Sequence, residues 1–489
     1  MFEERKLHPI ALIKELFVSI RKNIIPIAVG IFSIYRASVA TGYFPIWVYL
    51  LIVAILVVLI LMPACSKYFT FRYTLEQDGL RIRYGFIFHK NIFIPYERIQ
   101  TIQQKQWFFF IPFHVTQVLI ETAGGKKPEG DLSAVPISTL NELRSLRDGK
   151  KQEATVQVTN PFDAPKPKEN DIPEQTVILK TKELLFMALT SSGVLAGLAI
   201  LLAVLGQLKD VIPKQFVEEQ FKHIEQMSVL IVILFVIALL VILWCISIVA
   251  TLFKYFQFKL MKFNSELVIE KGLFQRNHTT ISHAKIQAVV MIESPIRKWF
   301  NLVAVKVITA GSSGDKKHSG DLLLLPIMKK DQALQTLKAF LPEYNVEIDE
   351  LMRVPKTSLR RFLFIYLLWG SLPFIILTWL YYPFGLISII IPILSFLKAI
   401  ASYRATGFLA RNKLLLLQAR PVISKKTYIV HKDRIQSLKV KQSVWMKRSK
   451  TSHLSIDLKS GSEDIRPFIR YLKDKDAYEL YKWYRPHLF

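Results

Sequence analysis

Three short phrases along the chain carry the residue types best suited to binding something charged. They read Arg98-Ile99-Gln100-Thr101-Ile102, Lys285-Ile286-Gln287-Ala288-Val289 and Arg434-Ile435-Gln436-Ser437-Leu438. Each places a permanent cation and a carboxamide on either side of an isoleucine. Arg98, Lys285 and Arg434 can meet an anionic headgroup or an acidic protein surface, and Gln100, Gln287 and Gln436 add donors and acceptors. A tryptophan follows each phrase: Trp107, Trp299 and Trp445. Tryptophan is favoured at the headgroup level of a bilayer. Arg297 and Lys298 before Trp299, and Lys447, Arg448 and Lys450 after Trp445, suit that interface.

A plain structural reading stands beside this one. Ile99 with Ile102, and Ile286 with Val289, have the spacing of residues facing a core, leaving the polar neighbours to satisfy backbone groups or face water. The tryptophan loops can equally pack on that core.

Other chemistry finds little support. There is no HExxH, no glycine-rich phosphate loop ending in Lys-Ser/Thr and no nucleophile elbow. His278 and His283 lack a third ligand nearby, so no metal site is expected. Cys65 and Cys245 both lie within or at the end of apolar stretches, which excludes a disulfide framework. No catalytic residue and no cofactor is expected.

The elements that position these phrases begin with apolar stretches long enough to cross about 30 Å of hydrocarbon. They are Tyr43–Ala64, Leu184–Leu205, Val229–Phe253, Phe362–Leu380 and the weaker Pro383–Ile400. A further stretch, Ile24–Ala40, is interrupted by Arg36. Paired, they predict six transmembrane helices in three hairpins. Arg36 and Lys398 lie near span ends, where they can snorkel. None of the spans has an interior Asp, Glu or His, which argues against a proton-coupled pump.

Lys and Arg number 65 against 38 Asp and Glu, a net charge of +27. Only Arg36, Lys209, Lys214 and Lys222 fall at the hairpin tips, matched by Asp210, Glu218, Glu219 and Glu225. The positive-inside bias therefore places both termini and all three modules in the cytoplasm. The N-terminal residues do not read as a cleavable signal peptide. Because every basic module is tethered beside a span, anionic lipid rather than nucleic acid is the expected polyanion.

The predicted order is an N-terminal segment and hairpin over 1–66, a module over 67–148 and a linker over 149–182. A hairpin over 183–254, a module over 255–341 and a linker over 342–360 follow, then a hairpin over 361–401 and a divergent module over 402–489. Leu80-Arg81-Ile82-Arg83-Tyr84 alternates as a strand, and Gly85 turns it; Leu267–Lys271 and Gly272 repeat this. The third module lacks that glycine. Each module closes on a proline followed by apolar residues at helical spacing: Ile137, Leu140 and Leu143; Ala333, Leu334 and Leu337; Phe468, Tyr471 and Leu472. Several strands and one closing helix predict a bent sheet or partly open barrel, and an α+β class overall.

Ile94-Pro95-Tyr96 before Arg98-Ile99-Gln100, the glycine-bounded strands, and Thr122-Ala123-Gly124 or Thr309-Ala310-Gly311 resemble the bacterial pleckstrin-homology domain of the second type, formerly domain of unknown function 304. Three hairpins and three domains are similar to the YdbT type of membrane protein. The resemblance implies a PH-like β-sandwich or partly open barrel capped by a C-terminal helix. It transfers no catalytic residue. It implies a membrane-anchored scaffold acting with a smaller, single-module YdbS-type partner, and resistance to membrane-active peptides such as bacteriocins. The alternative is an exporter whose six spans form a path gated by the modules, and a third is a structural partner of envelope machinery.

Overall fold

The computed structural model describes residues 3–41, 46–86, 88–122, 128–156, 173–190, 197–198, 229–264, 266–310, 321–345, 351–459 and 466–485. Among these, four helices are long and apolar enough to cross a membrane: Leu51–Thr70, Leu234–Tyr255, Thr357–Leu380 and Gly385–Ala405. The interrupted stretch Ile24–Ala40 lies within a longer helix, Ile10–Thr41. The expected span Leu184–Leu205 begins in the helix Thr181–Leu189 and then passes largely outside the described residues.

Helix Ile10–Thr41 packs on Ile46–Thr70, where the Ser19 hydroxyl donates to the Ile60 carbonyl at 3.0 Å. Its first turns dock on the first module through a buried polar cluster. Lys14 Nζ reaches Ser133 Oγ at 3.0 Å and Glu15 at 3.2 Å, and Lys67 reaches Glu15 at 3.1 Å. Helix Thr357–Leu380 packs on Ile390–Ala405 at Gly370, where a Cβ would stand 2.2 Å from Ser395 Oγ. Lys398 Nζ lies 5.1 Å from the centre of the Tyr366 ring, giving that cation an aromatic partner.

Three sheet-rich domains accompany these helices. The first holds β1 (Arg72–Leu75), β2 (Gly79–Tyr84), β3 (Lys90–Pro95), β4 (Ile99–Trp107), β5 (Val115–Thr122) and β6 (Gly130–Pro136). The second holds β7 (Gln175–Ile178), β8 (Lys259–Phe263), β9 (Glu266–Lys271), β10 (Gln275–Ser282), β11 (Ile286–Glu293), β12 (Leu302–Thr309) and β13 (Asp321–Lys329). The third holds β14 (Met352–Arg353), β15 (Gly407–Arg411), β16 (Leu414–Ala419), β17 (Lys425–His431), β18 (Ile435–Lys441), β19 (Thr451–Leu458) and β20 (Phe468–Lys473).

The alternation in β2 does what its pattern dictates: Leu80 and Ile82 are fully buried while Arg83 is exposed. Gly85 and Gly272 turn the next hairpin with φ of 119° and 111°, and a Cβ there would come within 2.0 and 2.1 Å of a carbonyl oxygen. The closing helices are Ile137–Val156, Lys330–Phe340 and Asp474–Tyr484. The last corrects the expectation: Phe468, Tyr471 and Leu472 lie in strand β20, and Pro326 lies within β13 rather than opening a helix. A short apolar run fits either period, and here sheet pairing to β19 and β12 decides it.

The stretches 149–182 and 342–360, expected as linkers, each contain a strand of the following domain. β7 pairs with β8, and β14 with β15. In the first domain an isolated bridge joins Arg5 to Tyr73 in the same way. The membrane-directed helices are thus insertions between two paired backbone segments.

The domains are not separate beads. Among the described residues the sheets run β1-β2-β3, then β6-β5-β4-β10-β9-β8-β7, then β13-β12-β11-β17-β16-β15-β14, then β18-β19-β20. Both seven-stranded sheets cross a domain boundary, through β4 with β10 and β11 with β17. The second junction is apolar on both faces. Val289, Met291, Leu416 and Ile429 join the core of the second domain, whereas Ala288, Val290, Leu415 and Val430 join that of the third. The first junction is polar, pairing Gln103 with Thr279, Gln104 with His278 and Lys105 with Asn277.

Candidate functional site

The three phrases share one backbone device. A single 3₁₀ turn precedes each: Tyr96–Arg98, His283–Lys285 and Lys432–Arg434, with the cation as its last residue. The isoleucine then enters the strand, and the glutamine is an extra residue in the register. Ile99 pairs with Thr122 and Thr101 with Glu121, leaving Gln100 unmatched; Ile286 and Ala288 leave Gln287, and Ile435 and Ser437 leave Gln436. This is a β-bulge, which bends the strand and re-aims its side chains. The flanking aliphatics face the cores as the plain reading required: Ile99, Ile102, Ile286 and Val289 are at most 1% exposed, and Ile435 and Leu438 7%.

Two further side chains hold the device. Tyr344 donates to the Ile286 carbonyl at 3.0 Å, and Tyr484 to the Ile435 carbonyl at 3.2 Å. Burial is the main reason the Tyr344 phenol is pushed up to about 12, so it remains a donor. Neither tyrosine stands out in the sequence; the only signal is that Tyr344 lies just beyond a closing helix and Tyr484 is the last residue of one.

The structure brings the second and third phrases together. Lys285, Gln287, Arg434 and Gln436 line one cavity of about 330 Å³, with Lys459 and Asp433 completing its charged rim. Lys285 Nζ also lies 3.3 Å from Thr101 Oγ1 of the first phrase. Arg98 is exposed on its own turn, and the Gln100 side chain lies outside the described residues. Three cations against one carboxylate make the cavity suited to a small anion or an acidic side chain. His278 Nδ1 lies 2.9 Å from Glu270 on the neighbouring strand, and among the described residues no group of His, Cys, Asp and Glu could hold a metal ion.

The tryptophans fall at the other end. Strand β11 separates the second phrase from the helix Pro295–Trp299, and its 8 residues span about 25 Å. At that end each loop meets the helices of its own domain. Arg297 Nε donates to Thr190 Oγ1 at 3.1 Å, Arg361 donates to the Trp445 carbonyl at 2.5 Å, and the Phe17 and Trp107 rings lie 6.1 Å apart. Trp299 is 83% exposed and Trp445 72%, whereas Trp107 packs against the first core. The described side chains therefore divide into a phrase end, which meets the closing helices, and a tryptophan end beside the membrane-directed helices.

Comparison with known proteins agrees with this architecture. The bacterial PH domain family matches residues 25–151, 189–343 and 362–487. The chain is also 28% identical over 502 residues to the transmembrane protein YdbT of Bacillus subtilis (strain 168), covering 99% of this chain and 98% of that protein. Neither match points to an enzyme class. With three matches that together take in most of the chain, each beginning in or beside a membrane-directed helix, the protein belongs to the bacterial PH domain family and carries its domain three times.

Proposed function

We propose that the protein is a non-enzymatic membrane scaffold, with six spans in three hairpins and its PH-like domains on the cytoplasmic face. The three domains work as one sheet-linked body. The observation that carries this reading is the second junction, where residues of two domains complete each other's cores. A set of independent lipid-binding modules has no need of shared cores. A scaffold does, because fixed spacing multiplies the effect of weak contacts.

In this reading the tryptophan end rests on the leaflet, with Trp299 and Trp445 at headgroup depth. The phrase end, about 25 Å away, presents the cavity of Lys285 and Arg434 to an acidic partner rather than to lipid. The output is protection of the membrane against membrane-active peptides, in concert with a smaller single-module membrane protein. The test is a Val289→Asp variant, which puts a carboxylate into the shared core. Cells carrying it at normal membrane levels should lose protection against such a peptide. Undiminished protection would overturn the scaffold reading.

A further inference from the structure

Each domain has one strand of the β10 kind, which leads into the 3₁₀ turn, and one of the β11 kind, which leaves it. Within the chain a β11-kind edge always meets a β10-kind edge: β4 takes β10, and β11 takes β17. Among the described residues this leaves one edge of each kind unused. β3, the β10-kind strand of the first domain, pairs only with β2, and β18, the β11-kind strand of the third, pairs only with β19 among the described residues.

Both internal junctions use the same register. Thr279, seven residues before Ile286, pairs with Gln103, four after Ile99. Val430, five before Ile435, pairs with Ala288, two after Ile286. The two offsets differ by three in each case. Applied to the free edges, the rule sets Leu438 opposite Phe93, Lys439 opposite Ile92, Val440 opposite Asn91 and Lys441 opposite Lys90. Pro95 falls outside this ladder, so its missing N–H removes no bond from it.

The surfaces beside the free edges match as well. In the first junction the Phe108 N–H donates to the Phe274 carbonyl at 2.8 Å, and their rings lie 6.0 Å apart. The position equivalent to Phe108 beside β18 is Val444, 76% exposed. At the corresponding hairpin tip beside β3, Phe86 and Phe88 are 68% and 84% exposed. Val440 and Phe93 on the strands themselves are each 42% exposed.

We infer that β18 of one chain pairs with β3 of a second copy in the same register as the internal junctions. The reciprocal pair then closes a head-to-tail dimer of six domains. A second copy is the occupant because both halves of the interface are on this chain, and because it is held in the same membrane in the same orientation. The like-charged pair of Lys441 and Lys90 opposes the contact, as like charges across a sheet do, and gives it a handle.

The test uses the full chain in lipid nanodiscs, with Cys65 and Cys245 replaced by alanine. Val440→Cys with Asn91→Cys places thiols on directly opposed residues, within disulfide reach. Mild oxidation should give covalent dimers from the double variant and from a mixture of the two single variants, but not from either single variant alone. Lys441→Glu, which sets an acid opposite Lys90, should raise dimer association about threefold per interface by native mass. Crosslinking absent from the double variant, with monomers by native mass, would overturn the inference. So would a stable complex in which a different single-module chain occupies both edges.

Discussion

Val289 and Ile429 stand directly opposite each other on β11 and β17, and both are buried in one core although they belong to different domains. Truncating either therefore strikes two domains at once. Ile429→Ala should cost about 3 kcal/mol and broaden or split the joint unfolding of the second and third domains. Thr279→Ala, in the polar first junction, should cost under about 1 kcal/mol. Calorimetry in nanodiscs reads both, and equal effects would show that the junctions are energetically alike.

Glu293 and Lys425 form an ion pair at 2.8 Å at the tryptophan end of the same junction, with side chains 10% and 17% exposed. Burial lowers the Lys425 pKa, and Glu293 opposes that shift. Removing the carboxylate leaves a buried cation, so Glu293→Ala should destabilise by about 2 kcal/mol. Lys425→Met combined with Glu293→Leu should recover most of that loss. If the double variant is no better than Glu293→Ala, the pair is more than a local balance of charge.

His453 accepts the Tyr471 N–H on Nδ1 at 3.1 Å, a role open only to the neutral ring. Burial first, then Arg470 and Arg361, lower its pKa to about 4. In the unfolded chain the ring titrates near 6.5. Between those values the unfolded state holds a proton that the folded state does not, so stability falls as pH drops through that window and is level above it. The unfolding temperature should therefore decline from pH 7 to pH 5, and His453→Asn should flatten the decline. An unchanged slope in the variant would assign the pH dependence elsewhere.

Trp299 and Trp445 should sit at headgroup depth. Quenching by brominated lipids should fall on Trp299→Phe and on Trp445→Phe, and stay nearly unchanged on Trp107→Phe. Equal effects at all three positions would remove the leaflet contact from the account.

Much of this was legible in the residues. The apolar stretches, the glycine turns at Gly85 and Gly272, and the inward aliphatics Ile99, Ile286 and Ile435 follow from period and conformational need. The shared glutamine was visible, but not its role as a bulge, because a register shift depends on a partner strand far away in sequence. The junctions were hidden for the same reason. Val430 and Leu417 read as ordinary strand residues, and nothing local says that their cover comes from Ala288 and Val290 of another domain. The phrase cations and the tryptophans are near in sequence, yet one strand of about 25 Å holds them at opposite ends.

The most direct test measures cell-associated labelled membrane-active peptide, with and without a collapsed proton gradient and ATP depletion. Cells bearing the wild-type chain should be protected, with the same amount of peptide bound whether or not energy is available. Val289→Asp cells should lose protection without any change in that energy independence. An energy-dependent fall in bound peptide in wild-type cells would contradict the scaffold account and establish export.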